Sequence, residues 1–159
     1  MPLRSDWSGD RCPIARSLDV VGDPWALLVL RQALQGARRY EDFRRSLSVA
    51  DNVLSRRLAH LVEAGLLRRE PYRDGGRTRQ EYRLTEAGAE LLPVLNALAQ
   101  WGERHRPHAD PAVHMDVVHT ACGAVTAGPD RCTACGAELA AGDVTWRKSW
   151  AGDTALVGV

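Results

Sequence analysis

The sequence of 159 residues lacks any apolar run near the roughly 20 residues that a membrane-spanning helix requires. Its first residues, MPLRSDW, are mostly polar and show no signal-peptide pattern. We therefore expect a cytoplasmic protein with no membrane segment. Disulfides are rare in that compartment, so the four cysteines are expected to be reduced or metal-bound.

Lysine is almost absent, since 20 of the 21 basic residues are arginine and only Lys148 is lysine. The net charge is +1, but it is unevenly distributed. Residues 31–83 hold 13 arginines against 7 acidic residues, whereas residues 107–159 hold 3 basic and 6 acidic residues. The first segment is expected to attract a polyanion, and arginine suits bidentate contacts to phosphate or guanine.

Sequence patterns typical of enzymes are also missing. The chain has no glycine-rich phosphate loop, no nucleophile elbow and no carboxylate pair placed for acid-base chemistry. We therefore do not expect an enzyme.

A helix is predicted over residues 51–64, because Leu54, Leu58, Leu61 and Val62 recur at the helical period and Gly65 can end it. The major groove of DNA is wide enough to admit a helix, and polar side chains on such a helix can contact base edges or phosphates. The polar face of this helix carries Asn52, Ser55, Arg56, Arg57 and His60. The first three are expected to contact bases, and Arg57 is expected to hold a phosphate.

Two strands are predicted next, Leu66 to Pro71 and Gln80 to Leu84, with a wing over residues 72–80. Asp74-Gly75-Gly76 favours a tight hairpin turn, and we expect a mobile tip. Basic side chains on such a tip fit the minor groove or a phosphate. Those of this wing are Arg73, Arg77 and Arg79. A helix followed by a basic hairpin is typical of a winged helix-turn-helix.

Three helices are predicted ahead of this unit, at residues 12–21, 24–34 and 40–47, with Arg44 and Arg45 on the outer face of the third as further phosphate contacts. After the wing, a long helix is predicted from Thr85 to Arg106, bent at Pro93. Its apolar residues exceed what one small domain easily covers, so either a second copy of the chain or the C-terminal segment is expected to cover them.

The fold class is therefore mainly α with a β-hairpin wing, followed by a small zinc-ribbon-like β extension. We divide the chain into an N-terminal arm (1–11), a winged helix-turn-helix domain for DNA binding and dimerisation (12–106) and the extension (107–159).

The extension contains a repeat, in which HTACGA from His119 is followed by CTACGA from Cys132. Each copy is a ligand-x-x-ligand-Gly knuckle, so His119, Cys122, Cys132 and Cys135 form a ligand set for a structural zinc ion. A metal-free remnant of a ribbon and a thiol switch that uses Cys132 and Cys135 are the alternatives. The remaining cysteine, Cys12, lies at a helix start between Arg11 and Arg16, which favours a reactive thiol. Burial as a small apolar residue is the expectation we prefer for Cys12.

A series of motifs in residues 12–105 resembles the HxlR-type regulators, bacterial winged helix-turn-helix proteins related in fold to MarR. The motifs are Cys12, GDPW at 22–25, RYEDF at 39–43, LSRRL at 54–58, EAGLL at 63–67, EYRLTEAG at 81–88, LPVL at 92–95 and Trp101. The resemblance implies a transcription factor that binds a palindromic promoter site as a homodimer. The two copies are expected to contact each other through the N-terminal helix and the helix at 86–105. In some relatives, the cysteine that matches Cys12 senses oxidants.

Two departures from the family pattern affect the DNA contacts. Many relatives have prolines in the wing where this chain has Gly75-Gly76-Arg77-Thr78-Arg79, and Ala50 replaces the usual small hydroxyl residue. A small-molecule effector stays open. A second functional class also stays open, a protein-interaction adaptor with Trp146 and Trp150 as exposed anchors.

Overall fold

The computed structural model describes residues 6–159, so the first five residues of the predicted arm lie outside it. The helices are α1 (Pro13–Val21), α2 (Pro24–Leu34), α3 (Tyr40–Leu47), α4 (Asp51–Glu63), α5 (Glu86–Ala89) and α6 (Leu92–His105). The strands are β1 (Leu67–Asp74), β2 (Arg77–Leu84), β3 (Met115–His119), β4 (Val144–Lys148) and β5 (Gly152–Ala155). No helix within residues 6–159 is long and apolar enough to cross a membrane.

The helix α2 lies at the centre of the fold and contacts α1, α3, α4 and α6. Asp23 caps it by accepting a hydrogen bond from the backbone N–H of Trp25 (2.9 Å), and Pro24 occupies the first turn, where its missing N–H has no cost. Val29, Leu30 and Leu34 are fully or almost fully buried. The first four helices begin and end within one residue of the predicted positions.

The wing is a longer and tighter hairpin than predicted. Strands β1 and β2 pair in register up to Asp74 opposite Arg77, and only Gly75 and Gly76 form the turn. Both glycines have positive φ (53° and 82°), as a two-residue type I′ turn requires. The predicted ends of the two strands, at Pro71 and Gln80, are therefore wrong, since backbone pairing extends through the basic segment.

The predicted long helix after the wing is two helices. The helix α5 is a single short turn capped by Thr85, whose hydroxyl accepts from the N–H of Gly88 (3.2 Å). The chain then restarts as α6, with Pro93 in its first turn. The bend predicted at Pro93 is thus a helix start, where proline removes no intrahelical hydrogen bond.

The C-terminal extension forms an antiparallel sheet in the order β3-β4-β5, which packs against α6 and α2. Trp146 on β4 is only 2% exposed, and its indole N–H donates to the side-chain oxygen of Asn96 on α6 (2.9 Å). Asn96, itself fully buried, donates to the carbonyl of Pro129 (2.9 Å). The prediction that Trp146 is an exposed anchor is therefore wrong, whereas Trp150 is 57% exposed.

Further hydrogen bonds join the extension to the helices. The side chain of Gln100 donates to the carbonyl of Thr126 (3.1 Å), and the N–H of Val157 donates to the carbonyl of Leu34 (2.8 Å). Buried side chains of the extension join the same hydrophobic core as those of the helices, among them Val117, Leu139, Val144 and Leu156. The extension is thus part of the packed body of the protein.

Candidate nucleic-acid interface and metal centre

The start of α4 is fixed by side chains of α3. Ala50 is the N-cap and provides no side-chain oxygen. The hydroxyl of Tyr40 instead donates to the carbonyl of Asp51 (3.1 Å), and the Nε of Arg44 pairs with the Asp51 carboxylate (2.9 Å). These contacts orient α4 relative to α3 across the turn of the helix-turn-helix.

One face of α4 is open to solvent, and three of the predicted contact residues lie on it. Asn52, Ser55 and Arg56 are exposed, and the core side of the helix buries Leu54, Leu58 and Leu61. The Ser55 hydroxyl donates to the Tyr40 hydroxyl (3.2 Å). The guanidinium of Arg56 has no partner within residues 6–159, so it is available to an external anion.

Arg57 and His60 lie on the flank of α4 that faces the N-terminal helices. Arg57 is 20% exposed and pairs with the cap residue Asp23 (2.7 Å). The ring Nε2 of His60 lies 3.0 Å from the carbonyl of Val20. The helical pattern placed both residues on the polar face, but it could not show that α1 and α2 pack against that edge. Both side chains are engaged within the chain rather than on the open face.

The arginines of α3 and the wing differ in how firmly they are held. Arg45 pairs with Asp42 (2.9 Å), Arg79 pairs with Asp74 (3.3 Å), and Arg73 donates to the carbonyl of Gly76 (3.3 Å). These side chains are exposed, so such pairs contribute little to stability and exchange readily for phosphate. Arg77, beside the turn, has no partner in the described part of the chain.

Arg39 and Glu70 were not singled out from the sequence, yet both bear on the wing. The guanidinium of Arg39 lies over the ring of Tyr72, 4.6 Å from its centroid. Glu70 pairs with Arg68 and Arg83 (2.8 Å each), and the hydrogen bond from Arg68 lowers the pKa of its carboxyl. The sequence did not predict this contact, because Tyr72 lies outside the hydrophobic pattern of β1. Only the folded hairpin shows that Arg39 lies over the Tyr72 ring.

The four predicted metal ligands come together. All their ligand atoms lie within 4.8 Å of one another. His119 Nδ1 lies 3.2 Å from Cys122 Sγ and 3.3 Å from Cys135 Sγ, and the sulfurs of Cys122 and Cys132 are 3.6 Å apart. A tetrahedral zinc site has S···S edges of roughly 3.8 Å and shorter N···S edges. The residues therefore fit a single tetrahedral ion.

The two knuckles have the same backbone geometry. Gly123 donates to the carbonyl of His119 and Gly136 to that of Cys132, both at 2.8 Å, and both glycines have positive φ. A buried residue not predicted from the sequence, Thr126, holds the knuckles together. Its hydroxyl accepts from the N–H of Thr133 (3.0 Å) and donates to the carbonyl of Arg131 (3.1 Å).

The four-ligand cluster favours the thiolate form of Cys132. The backbone N–H of Cys135, together with that of Ala134, holds the pKa of the Cys132 thiol down to about 6. The N–H of Ala124 lowers the pKa of Cys122, but burial and the neighbouring thiols of Cys132 and Cys135 raise it above its usual value. A divalent cation would stabilise all the thiolates together, since it removes their mutual repulsion.

Apolar side chains of α1 and α6 remain open to solvent. Ile14 is 69% exposed and Trp101 is 50% exposed. Leu18, Val94 and Leu98 are exposed as well. The extension packs on the Leu95 and Asn96 side of α6 and leaves these residues exposed, with Leu98 at the edge of the space between α6 and the extension. Cys12, at the N-cap of α1, is exposed, which makes the expectation of a buried thiol wrong.

Comparison with known proteins gives consistent results. Residues 20–110 match the sequence model of the HxlR-like helix-turn-helix family. The chain is 41% identical over 133 residues to the HTH-type transcriptional regulator Rv3095 of Mycobacterium tuberculosis, covering 83% of this chain and 82% of the relative. It is 31% identical over 112 residues to the HTH-type transcriptional regulator YdeP of Bacillus subtilis, covering 68% and 87%.

Solved structures show the same fold. The crystal structure of PA1607, assigned as a transcription factor, has a TM-score of 0.71 and 38% identity, and covers 87% of this chain and 96% of that one. The structure of the redox regulator HypR in its reduced form has a TM-score of 0.54 and 32% identity. The match covers 60% of this chain and 94% of the HypR chain.

Proposed function

The chain belongs to the HxlR-like helix-turn-helix family of transcriptional regulators, and from that premise we propose that it binds a palindromic promoter site as a homodimer. The observation that carries this proposal is the open face of α4, where Asn52, Ser55 and Arg56 are exposed beside a basic wing. Asn52, Ser55 and Arg56 read base edges in the major groove.

The remaining contacts serve mainly to position the protein on the duplex. Arg77 and Arg79 reach the minor groove or the backbone from the wing, and Arg45 and Arg73 add phosphate contacts after releasing their exposed partners. Arg44 adds a phosphate contact through its terminal nitrogens, while its Nε stays paired with Asp51. Arg57 and His60 stabilise the packing of α4 on the N-terminal helices rather than contacting DNA.

The DNA assignments are tested by fluorescence anisotropy with DNA from upstream of the chain's own gene and with a scrambled duplex. Arg56→Ala is expected to cost about 1–3 kcal/mol on the specific site and to reduce discrimination between the duplexes. Arg77→Ala is expected to weaken both complexes alike and to lower the salt slope by about 1.

Arg131→Ala is the matched control, since it removes an exposed arginine from the extension, far along the chain from α4 and the wing. Equal losses on both duplexes for Arg56→Ala and Arg77→Ala, or a loss for Arg131→Ala as large as theirs, would contradict the assignments.

The apolar surface on α1 and α6 supports the homodimer. An apolar surface of this kind on a single chain marks an interaction site, and a two-fold pair would present two α4 helices to successive major grooves. Trp101→Glu is expected to shift the protein from dimer to monomer in sedimentation equilibrium, because it buries a charge at the interface.

Trp150→Glu is the control, since Trp150 is equally exposed but lies outside α1 and α6. A native chain that is monomeric at the concentrations used for DNA binding, or a dimer unaffected by Trp101→Glu, would overturn the proposed interface.

We further propose that the four clustered ligands hold one structural zinc ion. Four protein ligands leave no open coordination position, so the ion acts by stabilising the two knuckles. The native chain is expected to contain one zinc per chain by atomic emission, and Cys132→Ser to lose it and unfold at lower temperature.

Cys12→Ser serves as the matched control and is expected to keep its zinc, because Cys12 is far along the chain from the knuckles and belongs to no ligand cluster among the described residues. A native chain purified without chelator that holds no stoichiometric metal, or zinc retained by Cys132→Ser, would argue against this site.

Redox control is a second candidate for the same regulator, favoured by the exposure of Cys12 at the start of α1. HypR, similar over 60% of this chain, is a redox regulator. Hydrogen peroxide is expected to lower DNA affinity in the native chain and to leave Cys12→Ser unchanged, with zinc content measured in parallel. The same loss of affinity in both proteins would assign the effect to other groups.

A further inference from the structure

A cavity of about 770 Å³ lies where α2, α6 and the C-terminal sheet meet. Its size is within the range of about 300–1,000 Å³ that is typical of small-molecule sites. Its walls include side chains of the extension, Met115, Trp146, Lys148 and Trp150. All four lie beyond residues 20–110, where the chain matches its family, so the site depends on the extension.

Two cations face this cavity without an acidic partner. The guanidinium of Arg31 makes no hydrogen bond or ion pair in the described chain, and its Nε is buried. Lys148 donates to the neutral side-chain oxygen of Gln35 (2.6 Å) and pairs with no acidic group in the described chain. Burial lowers the pKa of both side chains, and the charge of Arg31 lowers that of Lys148 further. Two cations are therefore held together in a partly desolvated place.

The one carboxylate in the wall does not neutralise them. Glu103 accepts a hydrogen bond from the backbone N–H of Met115 (2.9 Å) and lies within 4.0 Å of no cation in the described chain. Arg106 adds a third positive group at the wall. Among the described residues, the wall thus carries three cations against one carboxylate, and this surplus of positive charge favours an anion.

The rest of the wall is largely apolar. Leu27, Leu28 and Leu95 come from the helices, and the rings of Trp146 and Trp150 come from the extension. A small inorganic anion would satisfy the cations but leave this apolar surface in contact with water. A ligand with a charged end and an apolar body would satisfy both.

We propose that this cavity binds an amphipathic organic carboxylate, with the carboxylate between Arg31 and Lys148 and an aromatic or branched body against the leucines and tryptophans. Arginine suits this role because its planar fork matches a carboxylate. The site goes beyond the proposed DNA binding and does not depend on it.

The test is isothermal titration of the full-length chain with 2-naphthoate, with the neutral 2-naphthamide and with inorganic phosphate. We expect saturable binding of one naphthoate per chain, at least tenfold weaker binding of the amide, and no competition by phosphate. Arg31→Gln and Lys148→Gln are each expected to weaken naphthoate binding at least tenfold.

Arg147→Gln is the matched control. Arg147 is next to Lys148 in the sequence, but its side chain pairs with Asp153 outside the cavity. It is expected to leave the affinity unchanged. Arg31→Gln and Lys148→Gln each remove a partly buried charge that has no acidic partner in the described chain, so they are expected to melt no lower than the native chain. The conservative Arg31→Lys is expected to retain part of the affinity.

Equal affinity for naphthoate and the amide, binding unaffected by both cavity variants, or displacement by phosphate would each overturn the proposal. No DNA is present in this titration, so its result is independent of the DNA-binding experiment.

Discussion

The arrangement of the whole chain depends on one buried hydrogen-bonded group, Asn96 with Trp146 and Pro129. Asn96 accepts from the indole N–H and donates to the proline carbonyl, so its amide is paired on both sides in the core. Leaving such groups buried and unpaired costs about 1–3 kcal/mol each, which disfavours arrangements in which the extension is displaced. This group fixes β4 over α6 and thereby places both the knuckles and the cavity wall.

The arginine-rich segment has two roles, and the structure separates them by partner. Arg57 is bound to the cap of α2 and is mostly buried, so it works as part of the fold. Arg56, the next residue, and Arg77 have no partner in the described chain. A net surplus of arginine therefore overstates the charge available to DNA, because several side chains are engaged in holding α3, α4 and the wing together.

The sequence was sufficient where local chemistry decides the structure. Pro24 marked the start of α2, Gly75-Gly76 marked the hairpin turn, and the repeated knuckles marked a ligand set that the fold does bring together. It was insufficient where the direction or burial of a side chain depends on a segment that is distant in sequence. The direction of Arg57 depends on α2, and the burial of Trp146 depends on Asn96, fifty residues away. The cavity has no sequence signature, since its cations come from α2, the end of α6 and β4.

The helix α2 connects the surfaces discussed above. Its N-cap is Asp23, which pairs with Arg57 of α4. Its last turns carry Arg31 and Leu34, and the carbonyl of Leu34 accepts a hydrogen bond from Val157 of the extension. At 1.5 Å per residue, Asp23 and Arg31 are roughly 12 Å apart along one rigid element. A ligand that draws Arg31 towards Lys148 acts on the same helix that positions α4. The helix α2 therefore contacts both the wall of the cavity and the helix that faces DNA.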